Sequence, residues 1–238
     1  MKLINLIFIA GSVTSLSWGA VHVISRELAA QQSEKCIQIF HDSKKEARGV
    51  LKYLQGFPDY TQYVKSIDQY ERGDIEKCQA TIYIGSKEES LVPRAFTDDY
   101  VKTSKNVAWL GYNIWQLGDQ FERVFGLRYI GFALPHPSLG SEIIYKGQSY
   151  KKRSMARKQV ELLAVNSLKF EILAEIRSDQ SREVIPYVVR AKNRFYYADV
   201  PAEYLTHTEH ASIFADILAE MVGVPAQNKA RSISSNAL

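Results

Sequence analysis

Residues 111–115, Gly-Tyr-Asn-Ile-Trp, are the segment whose position in the chain points most directly to chemistry. They follow the apolar run NVAWL and precede a helix-like stretch, which predicts a strand-to-helix elbow, the place where many α/β enzymes carry a nucleophile. The residue at the apex is Asn113, whose amide has no titratable proton and cannot attack a carbonyl. Trp115 also stands where such an elbow normally has a small residue. We therefore expect an elbow that is inert as a hydrolase or amidotransferase, with Asn113 left to cap the helix or bind a ligand.

Strand and helix patterns alternate from Cys36 to about residue 125, and these elements must position the elbow. The strand patterns are KCIQIFHD, TQYVKSIDQY, QATIYIG and NVAWLGY. The helix patterns are SKKEARGVLKYLQGF with Ser43 as its N-cap, SLVPRAFTDDYVKTS with Pro93 near its start, and NIWQLGDQFERVF. Such alternation predicts a parallel sheet covered by helices on both faces.

The carboxyl ends of these strands are where an open α/β sheet leaves a ligand crevice. The residues that fall there are His41, Asp42, Gly85, Ser86, Tyr112 and Asn113. We predict a ligand-facing surface built from Tyr112, Asn113, His41 and Gly85. This prediction rests on the logic of the fold and on no catalytic motif.

Beyond residue 126 the pattern changes to short strand-like runs separated by turn residues, from LRYIGFAL to NRFYYADVP, and then to the helix HASIFADILAEMVGV. This predicts a small β-rich subdomain with a final helix. The expected organisation is a leader at 1–30, an α/β domain at 31–126, the β-rich subdomain at 127–224 and a disordered tail at 225–238.

The leader begins MKLINLIFIAGSVTSLSWGA, a single lysine followed by an apolar run. It predicts either a signal peptide, with small residues near positions 17–19 or 28–30 for cleavage, or an uncleaved N-terminal anchor. Both alternatives place the body outside the cytoplasm, in the periplasm or beyond the cell.

Two cysteines, Cys36 and Cys78, acquire significance in an exported protein because an oxidising compartment permits a disulfide. They precede the first and third strands, which are neighbours in a sheet of order 2-1-3. The pattern allows either a bridge or two buried thiols.

The net charge and the length of the chain exclude few classes of function. The 238 residues are 46% hydrophobic and carry a net charge of +4, which is typical of a globular protein and offers no support for nucleic-acid binding. The basic run KKRSMARK at 151–158 predicts a solvated loop more readily than a site for an anionic polymer or a membrane. His136, between two prolines, and Tyr196 and Tyr197 beside Asp199 are weaker candidates for binding.

The motifs WLGYNIWQL, YKGQSY, IPYVVRAKNRFYYADVP and the helix FADILAEMVG together resemble the front region of the DUF2334 group of bacterial polysaccharide deacetylase-like proteins. The resemblance covers most of the chain after the leader. It implies a flavodoxin-like or class I amidotransferase-like sheet with a degenerate elbow, which in that group precedes a deacetylase barrel. The chain stops where the barrel would begin, so the resemblance implies either a free-standing relative or a truncated copy.

Deacetylases of this kind use an acidic pair and an H-[ST]-x-x-H element around a divalent metal. The chain contains Asp98 and Asp99, within a predicted helix, and His207 and His210, which are three residues apart instead of four. Both are near misses, and we expect no metal and no cofactor.

Three functions therefore remain as hypotheses. The first, which we favour, is a non-catalytic accessory module of an exported polysaccharide deacetylase-like system that binds polysaccharide and partners a deacetylase domain or another cell-envelope protein. The second is a metal-dependent carbohydrate deacetylase or hydrolase. The third is a fragment of such an enzyme with no independent activity. Membrane contact is expected only through the N-terminal segment.

Overall fold

A large mixed sheet dominates the computed structural model, which describes residues 35–54, 57, 59–133, 142–151, 159–177, 184–198, 208–221 and 223. The strands are β1 (Cys36–His41), β2 (Thr61–Ser66), β3 (Ala80–Gly85), β4 (Asn106–Gly111), β5 (Leu127–Ala133), β6 (Glu142–Tyr145), β7 (Gln148–Lys151), β8 (Gln159–Ala164), β9 (Glu171–Arg177), β10 (Val184–Ala191) and β11 (Arg194–Tyr197). The helices are α1 (Lys44–Leu54), α2 (Arg94–Lys102), α3 (Asp119–Phe125) and α4 (Thr208–Met221).

Nine of these strands form one sheet in the order β2-β1-β3-β4-β11-β10-β9-β6-β7. The five strands from β2 to β11 in this order run parallel, and the remaining pairings, from β11 to β7, are antiparallel. The parallel part therefore has the order 2-1-3-4 followed by one further strand, which is the flavodoxin-like order. The alternating strand and helix patterns of residues 36–125 predicted its first four strands, whereas β11 was expected in the β-rich subdomain.

The β-rich region continues this sheet, in contrast to the subdomain expected from residue 127 onwards. Strand β11 pairs with β4 in parallel, from Arg194 opposite Val107 to Tyr197 opposite Leu110, and so joins the two regions through backbone hydrogen bonds. Strands β5 and β8 form a separate two-stranded ribbon. The described residues belong to one compact unit that begins at Lys35, and the expected boundary between 126 and 127 does not divide it.

Aromatic side chains fill one face of the parallel strands. Phe40, Tyr83 and Trp109 share this face because they are register partners on β1, β3 and β4. Phe96 and Tyr100 of α2 pack against them, with ring centroids 5.4 Å apart for Tyr83–Phe96 and 5.5 Å for Tyr100–Trp109. Edge-to-face and tilted pairs of this kind each stabilise the fold by about 0.5–1.5 kcal/mol, in addition to the free energy gained by burying their apolar surface.

A buried arginine links α2 to the sheet at the amino end of β11. Arg194 donates to the carbonyl oxygens of Tyr100 (3.0 Å), Val101 (2.6 Å) and Thr103 (2.9 Å). These carbonyls belong to the last turn of the helix and its C-cap, where no intrahelical donors remain. Arg194 thus caps α2, and its burial lowers the pKa of the guanidinium below its usual value.

Cys36 and Cys78 form a disulfide, with their Cα atoms 5.0 Å apart. Cys36 opens β1 and Cys78 lies just before β3, and these strands are neighbours in the sheet, as the predicted order required. Of the two alternatives left open by the sequence, the structure contains the bridge.

The helix expected after the elbow is divided in two. A 3₁₀ turn covers Ile114–Leu117, and α3 begins only at Asp119. Gly118 separates them with φ 55° and ψ −139°, a conformation outside the helical region that glycine adopts at low cost. Among the described residues no helix is long and apolar enough to cross a bilayer, and the predicted leader at 1–30 lies outside them.

Candidate functional site

The predicted elbow is present at the carboxyl end of β4. Gly111 has φ 82°, and Asn113 has φ 72° and ψ 4°, so the chain turns through the left-handed region before the 3₁₀ turn starts. Asparagine is one of the few residues that adopt this conformation readily. The backbone therefore forms an elbow at Asn113, the apex position predicted from the sequence.

The side chain of Asn113 is completely buried. Its Nδ2 donates a 2.8 Å hydrogen bond to the carbonyl oxygen of Lys87 and lies 3.4 Å from the Tyr83 hydroxyl. Its Oδ1 is also buried and has no hydrogen-bond partner among the residues that the structure describes. The residue at the nucleophile position thus fastens a neighbouring loop and does not face solvent.

Asp42 fastens the same loop from the other side. Its Oδ1 accepts hydrogen bonds from the backbone N–H of Ser86 (2.9 Å) and from the Ser86 hydroxyl, and its Oδ2 accepts from the N–H of Lys87 (2.8 Å). We call Asp42, Ser86, Lys87 and Asn113 the loop clamp. It joins the carboxyl ends of β1, β3 and β4 and closes the edge at which a substrate would have to reach the elbow.

Gly85 explains how closely these strand ends approach each other. A Cβ atom at this position would lie 2.4 Å from the carbonyl oxygen of Tyr112, while the N–H of Tyr112 donates a 2.7 Å hydrogen bond to the Gly85 carbonyl. Tyr112 itself is 2% exposed. Gly85 therefore serves close backbone packing between β3 and the elbow.

His41 lies at the end of β1 and is 8% exposed, and within the described ranges its buried Nδ1 has no hydrogen-bond partner. Burial lowers the pKa of the imidazole below its ordinary value, against the opposing charges of Asp42 and Asp68. Because side chains alternate along a strand, His41 points to the face opposite Phe40 and Tyr83, whereas Asn113 contacts Tyr83. The structure does not unite His41 and Asn113 in one site.

The four residues predicted to face a ligand are consequently all buried. Tyr112, Asn113 and His41 are under 9% exposed, and Gly85 contributes only backbone. The sequence correctly placed them at the carboxyl edge but gave no sign that Lys87 would close it, because Lys87 acts through its backbone N–H and C=O, which every residue other than proline possesses.

A packed aromatic group covers the outer side of the elbow. Trp115 lies 5.2 Å from Tyr129 and 5.4 Å from Phe132, measured between ring centroids, and Tyr112 lies 5.6 Å from Phe132. Tyr129 and Phe132 belong to β5, the strand that joins β8 in the separate ribbon. Trp115 thus uses the space beside the elbow for packing, where an enzyme would need a small residue for substrate approach.

Both aspartates of the acidic pair, Asp98 and Asp99, interact with other residues of the protein. Asp99 accepts hydrogen bonds from the Tyr70 hydroxyl and the Gly73 N–H, both 2.7 Å long, and Asp98 pairs with Arg72 at 3.1 Å. Both aspartates lie on α2, as predicted. Of the histidine pair, His210 is on α4, while His207 lies outside the described residues.

The remaining candidates from the sequence are placed as follows. No group of three or more His, Cys, Asp or Glu side chains in the described part of the chain is placed to hold a metal ion. Tyr196 and Tyr197 are buried in β11, while Asp199, His136 and residues 152–158 of the basic run lie outside the described ranges. At the carboxyl edge the Ser86 hydroxyl donates to Asp42 within the loop clamp, and the apex of the elbow carries the amide of Asn113.

Comparison with known proteins shows the fold alone. No protein-family model and no curated protein matches the chain. Solved structures do match at low identity. A ThuA-like protein from Bacteroides uniformis has a TM-score of 0.57 and 10% identity, over 79% of this chain and 91% of that one.

Two of the similar structures are named for activity on carbohydrates. The exo-β-1,4-mannosidase Op5Man5 from Opitutaceae bacterium strain TAV5 has a TM-score of 0.54 and 10% identity, over 86% of this chain and 39% of that one. The carbohydrate deacetylase Agd3 has a TM-score of 0.54 and 8% identity, over 76% of this chain and 32% of that one. This chain thus spans between about a third and two fifths of the length of either enzyme.

The fold is flavodoxin-like, of the class I amidotransferase type. The parallel strands carry the order and the elbow of that class, and the antiparallel strands β10, β9, β6 and β7 extend them at one side.

Proposed function

We propose that this chain is a non-catalytic module of an exported carbohydrate-active system and that it binds or positions polysaccharide. The observation that carries the non-catalytic half is the loop clamp, because a buried amide that bonds Lys87 occupies the position where this fold class places its nucleophile. An amide held in this way has neither the proton chemistry nor the access that catalysis requires.

The polysaccharide half is supported by two likenesses of different kinds. The motifs around Asn113 and in β6–β7, β10–β11 and α4 resemble the front region of the DUF2334 deacetylase-like proteins, and the fold recurs as one part of a longer mannosidase and a longer carbohydrate deacetylase. In this proposal the partner is a deacetylase domain or another cell-envelope protein, and the disulfide fits a protein that works in an oxidising compartment.

The competing function is a metal-dependent carbohydrate deacetylase or hydrolase, and one experiment separates the two. The purified protein is titrated with soluble polysaccharides by calorimetry, and the same mixtures are assayed for released acetate and new reducing ends, with and without added Zn²⁺ or Co²⁺. We expect binding without release under every condition. Metal-dependent release of acetate or reducing ends that is lost on metal chelation would favour the enzyme.

The elbow itself supplies a second test. Asn113→Cys places a thiol at the apex, but the loop clamp keeps that position buried. We expect the folded variant to react with a thiol reagent only after denaturation and to gain no amidase or esterase activity. Rapid labelling of the native variant would show that the edge opens, and the argument from burial would then fail.

A further inference from the structure

A second surface, far along the sheet from the elbow, forms a cleft of about 520 Å³ between α4 and the antiparallel strands. Its lining comes from the β6–β7 turn (Tyr145, Lys146), from β9 (Glu171, Ile172, Leu173), from β10 (Arg190) and from α4 (Asp216, Glu220). Volumes of 300–1,000 Å³ are typical of small-molecule sites. We call this feature the α4 cleft.

Two sets of ion pairs line the α4 cleft, one around Asp216 and one around Arg190. The Lys146 ammonium lies 2.7 Å from the Asp216 carboxylate, which also accepts a 3.0 Å hydrogen bond from the Tyr145 hydroxyl. Arg190 pairs with Glu171, its register partner on β9, and with Glu220 of α4. The rim thus carries two cations and three carboxylates, and each cation is paired with a carboxylate. One negative charge remains in excess, so the rim does not attract strongly anionic ligands.

The charged groups of the α4 cleft remain accessible to a ligand. The side chains of Lys146, Glu171 and Glu220 are 63%, 58% and 39% exposed, and those of Arg190 and Asp216 are about one third exposed. Exposed ion pairs of this kind are weakly held, so their atoms are available to a ligand that supplies equivalent hydrogen bonds. Leu173, which is partly buried, adds an apolar side chain to the lining.

We propose that the α4 cleft binds a neutral sugar unit of a polysaccharide. A sugar hydroxyl both donates and accepts, so a ring bearing several hydroxyls matches a rim on which ammonium and guanidinium donors lie beside carboxylate acceptors. The C–H face of the same ring is apolar and fits against Leu173. This assignment rests on the proposed function and moves its binding surface from the closed carboxyl edge to α4.

The α4 cleft also gives the last helix a role besides packing. The apolar side of α4 is buried, and Asp216 and Glu220, one turn apart, face the cleft from its polar side. The Lys146–Gly147 turn of β6–β7 provides the opposite wall, with both residues at positive φ. Helix and hairpin, together with β9 and β10, thus supply the rim groups from four elements of the fold.

Calorimetric titration of the full chain with three oligosaccharides tests this assignment. The probes are cellohexaose and N-acetylchitohexaose, which are neutral, and hexagalacturonate, which is anionic. We expect at least one neutral probe to bind and hexagalacturonate to bind at least about tenfold more weakly. Tighter binding of the anionic probe would overturn the assignment of a neutral ligand.

Three variants locate the binding. Asp216→Asn removes a rim carboxylate, and Leu173→Trp fills the cleft while leaving every ion pair in place. Each is expected to weaken neutral-probe binding about tenfold or more. Glu122→Gln is the matched control, because it removes a carboxylate paired with Arg128, outside the cleft. Circular dichroism verifies folding, and probe-induced amide shifts in NMR spectra of the unmodified chain must cluster on β9, β10 and α4.

The outcomes separate this inference from the proposed function. If a neutral probe binds and neither cleft variant weakens it, or the amide shifts fall elsewhere, the α4 cleft is excluded while polysaccharide binding stands. If the unmodified chain binds no probe and no soluble polysaccharide, both proposals fail.

Discussion

The side-chain amide of Asn113 donates a 2.8 Å hydrogen bond to the carbonyl oxygen of Lys87, and this contact closes the elbow of the fold. The loop after β3 is held between Asn113 on one side and Asp42 on the other. In a fold class that places a nucleophile at this apex, the same backbone turn here carries a structural bond.

The loop clamp should contribute measurably to stability. Asn113→Ala removes the only side-chain donor seen on the Lys87 carbonyl in the described part of the chain and places alanine at φ 72°. We expect a loss of about 2–4 kcal/mol in the free energy of unfolding, measured by urea denaturation, from the lost bond and the backbone strain together. Asn113→Gly keeps the favourable backbone and should lose less than alanine does. Equal losses would mean that the conformation of the elbow contributes nothing.

Gly85 should tolerate no side chain. Gly85→Ala would bring its Cβ to 2.4 Å from a backbone oxygen that cannot move without breaking the contact between β3 and the elbow. We expect a loss of about 3 kcal/mol or more, measured as a shift in the urea midpoint. Gly73→Ala is the control, because a Cβ there meets nothing within 4 Å and costs only the strain of φ 87°, about 1 kcal/mol. A smaller loss at Gly85 than at Gly73 would contradict the steric argument.

The arginine cap of α2 offers a third test. Arg194→Met keeps much of the apolar volume but leaves the carbonyls of Tyr100, Val101 and Thr103 without their guanidinium donor. We expect a loss of about 2–5 kcal/mol, and partial recovery with Arg194→Lys, which restores a donor without the planar fork. Arg72→Met removes an arginine that is 60% exposed and should cost under about 1 kcal/mol.

The burial of His41 should make the stability of the protein depend on pH. Burial lowers the pKa of the folded imidazole below the unfolded value of 6.5, despite the raising effects of Asp42 and Asp68, while Lys44 lowers it further. Between these two pKa values the unfolded chain binds more protons, so stability falls as the pH drops through about 6.5. Unfolding free energies at pH 7.5, 6.0 and 5.0 measure this slope. His41→Gln should reduce it over that range, and an unchanged slope would exclude His41 as its source.

The disulfide should stabilise the chain chiefly by restricting its unfolded state. Cys36 and Cys78 are 42 residues apart, and the chain-entropy argument gives about 4 kcal/mol for a loop of this length. We expect the double variant Cys36→Ala, Cys78→Ala to lose about 2–4 kcal/mol. A reducing agent should destabilise the unmodified protein by a similar amount and leave the double variant unaffected. A reductant effect on the double variant would point to a cause other than this bridge.

At the carboxyl edge the sequence pattern predicted the elbow but not its burial. The apolar run before Gly111 and the Gly-Tyr-Asn turn were enough to predict the elbow, because strand ends and left-handed turns depend on local residue preferences. Burial of Asn113 depends on Lys87, a residue 26 positions earlier that contributes only backbone atoms. Backbone groups carry no signature in the sequence, so the prediction of an open, ligand-facing edge had nothing to correct it.

For the residues after 126, the sequence predicted strands but not how they pair. Their short strands were recognised, but a strand pattern does not specify its partner. The pairing of β11 with β4 joins segments about 87 residues apart, as in Arg194 with Val107, and turns an expected subdomain into a continuation of the sheet.

Local patterns in the chain were enough to predict the alternating strands and helices of the first half, the elbow at Asn113, its lack of a nucleophile and the closeness of the two cysteines. These follow from local periodicity, residue chemistry and the strand order of a parallel sheet. Long-range contacts were needed to establish that nine of the described strands share one sheet, that the loop after β3 closes the elbow, and that α4 and the β6–β7 hairpin border a charged cleft. Each of these depends on contacts between segments distant in the chain, where backbone pairing and side-chain packing select among alternatives that local preferences leave equal.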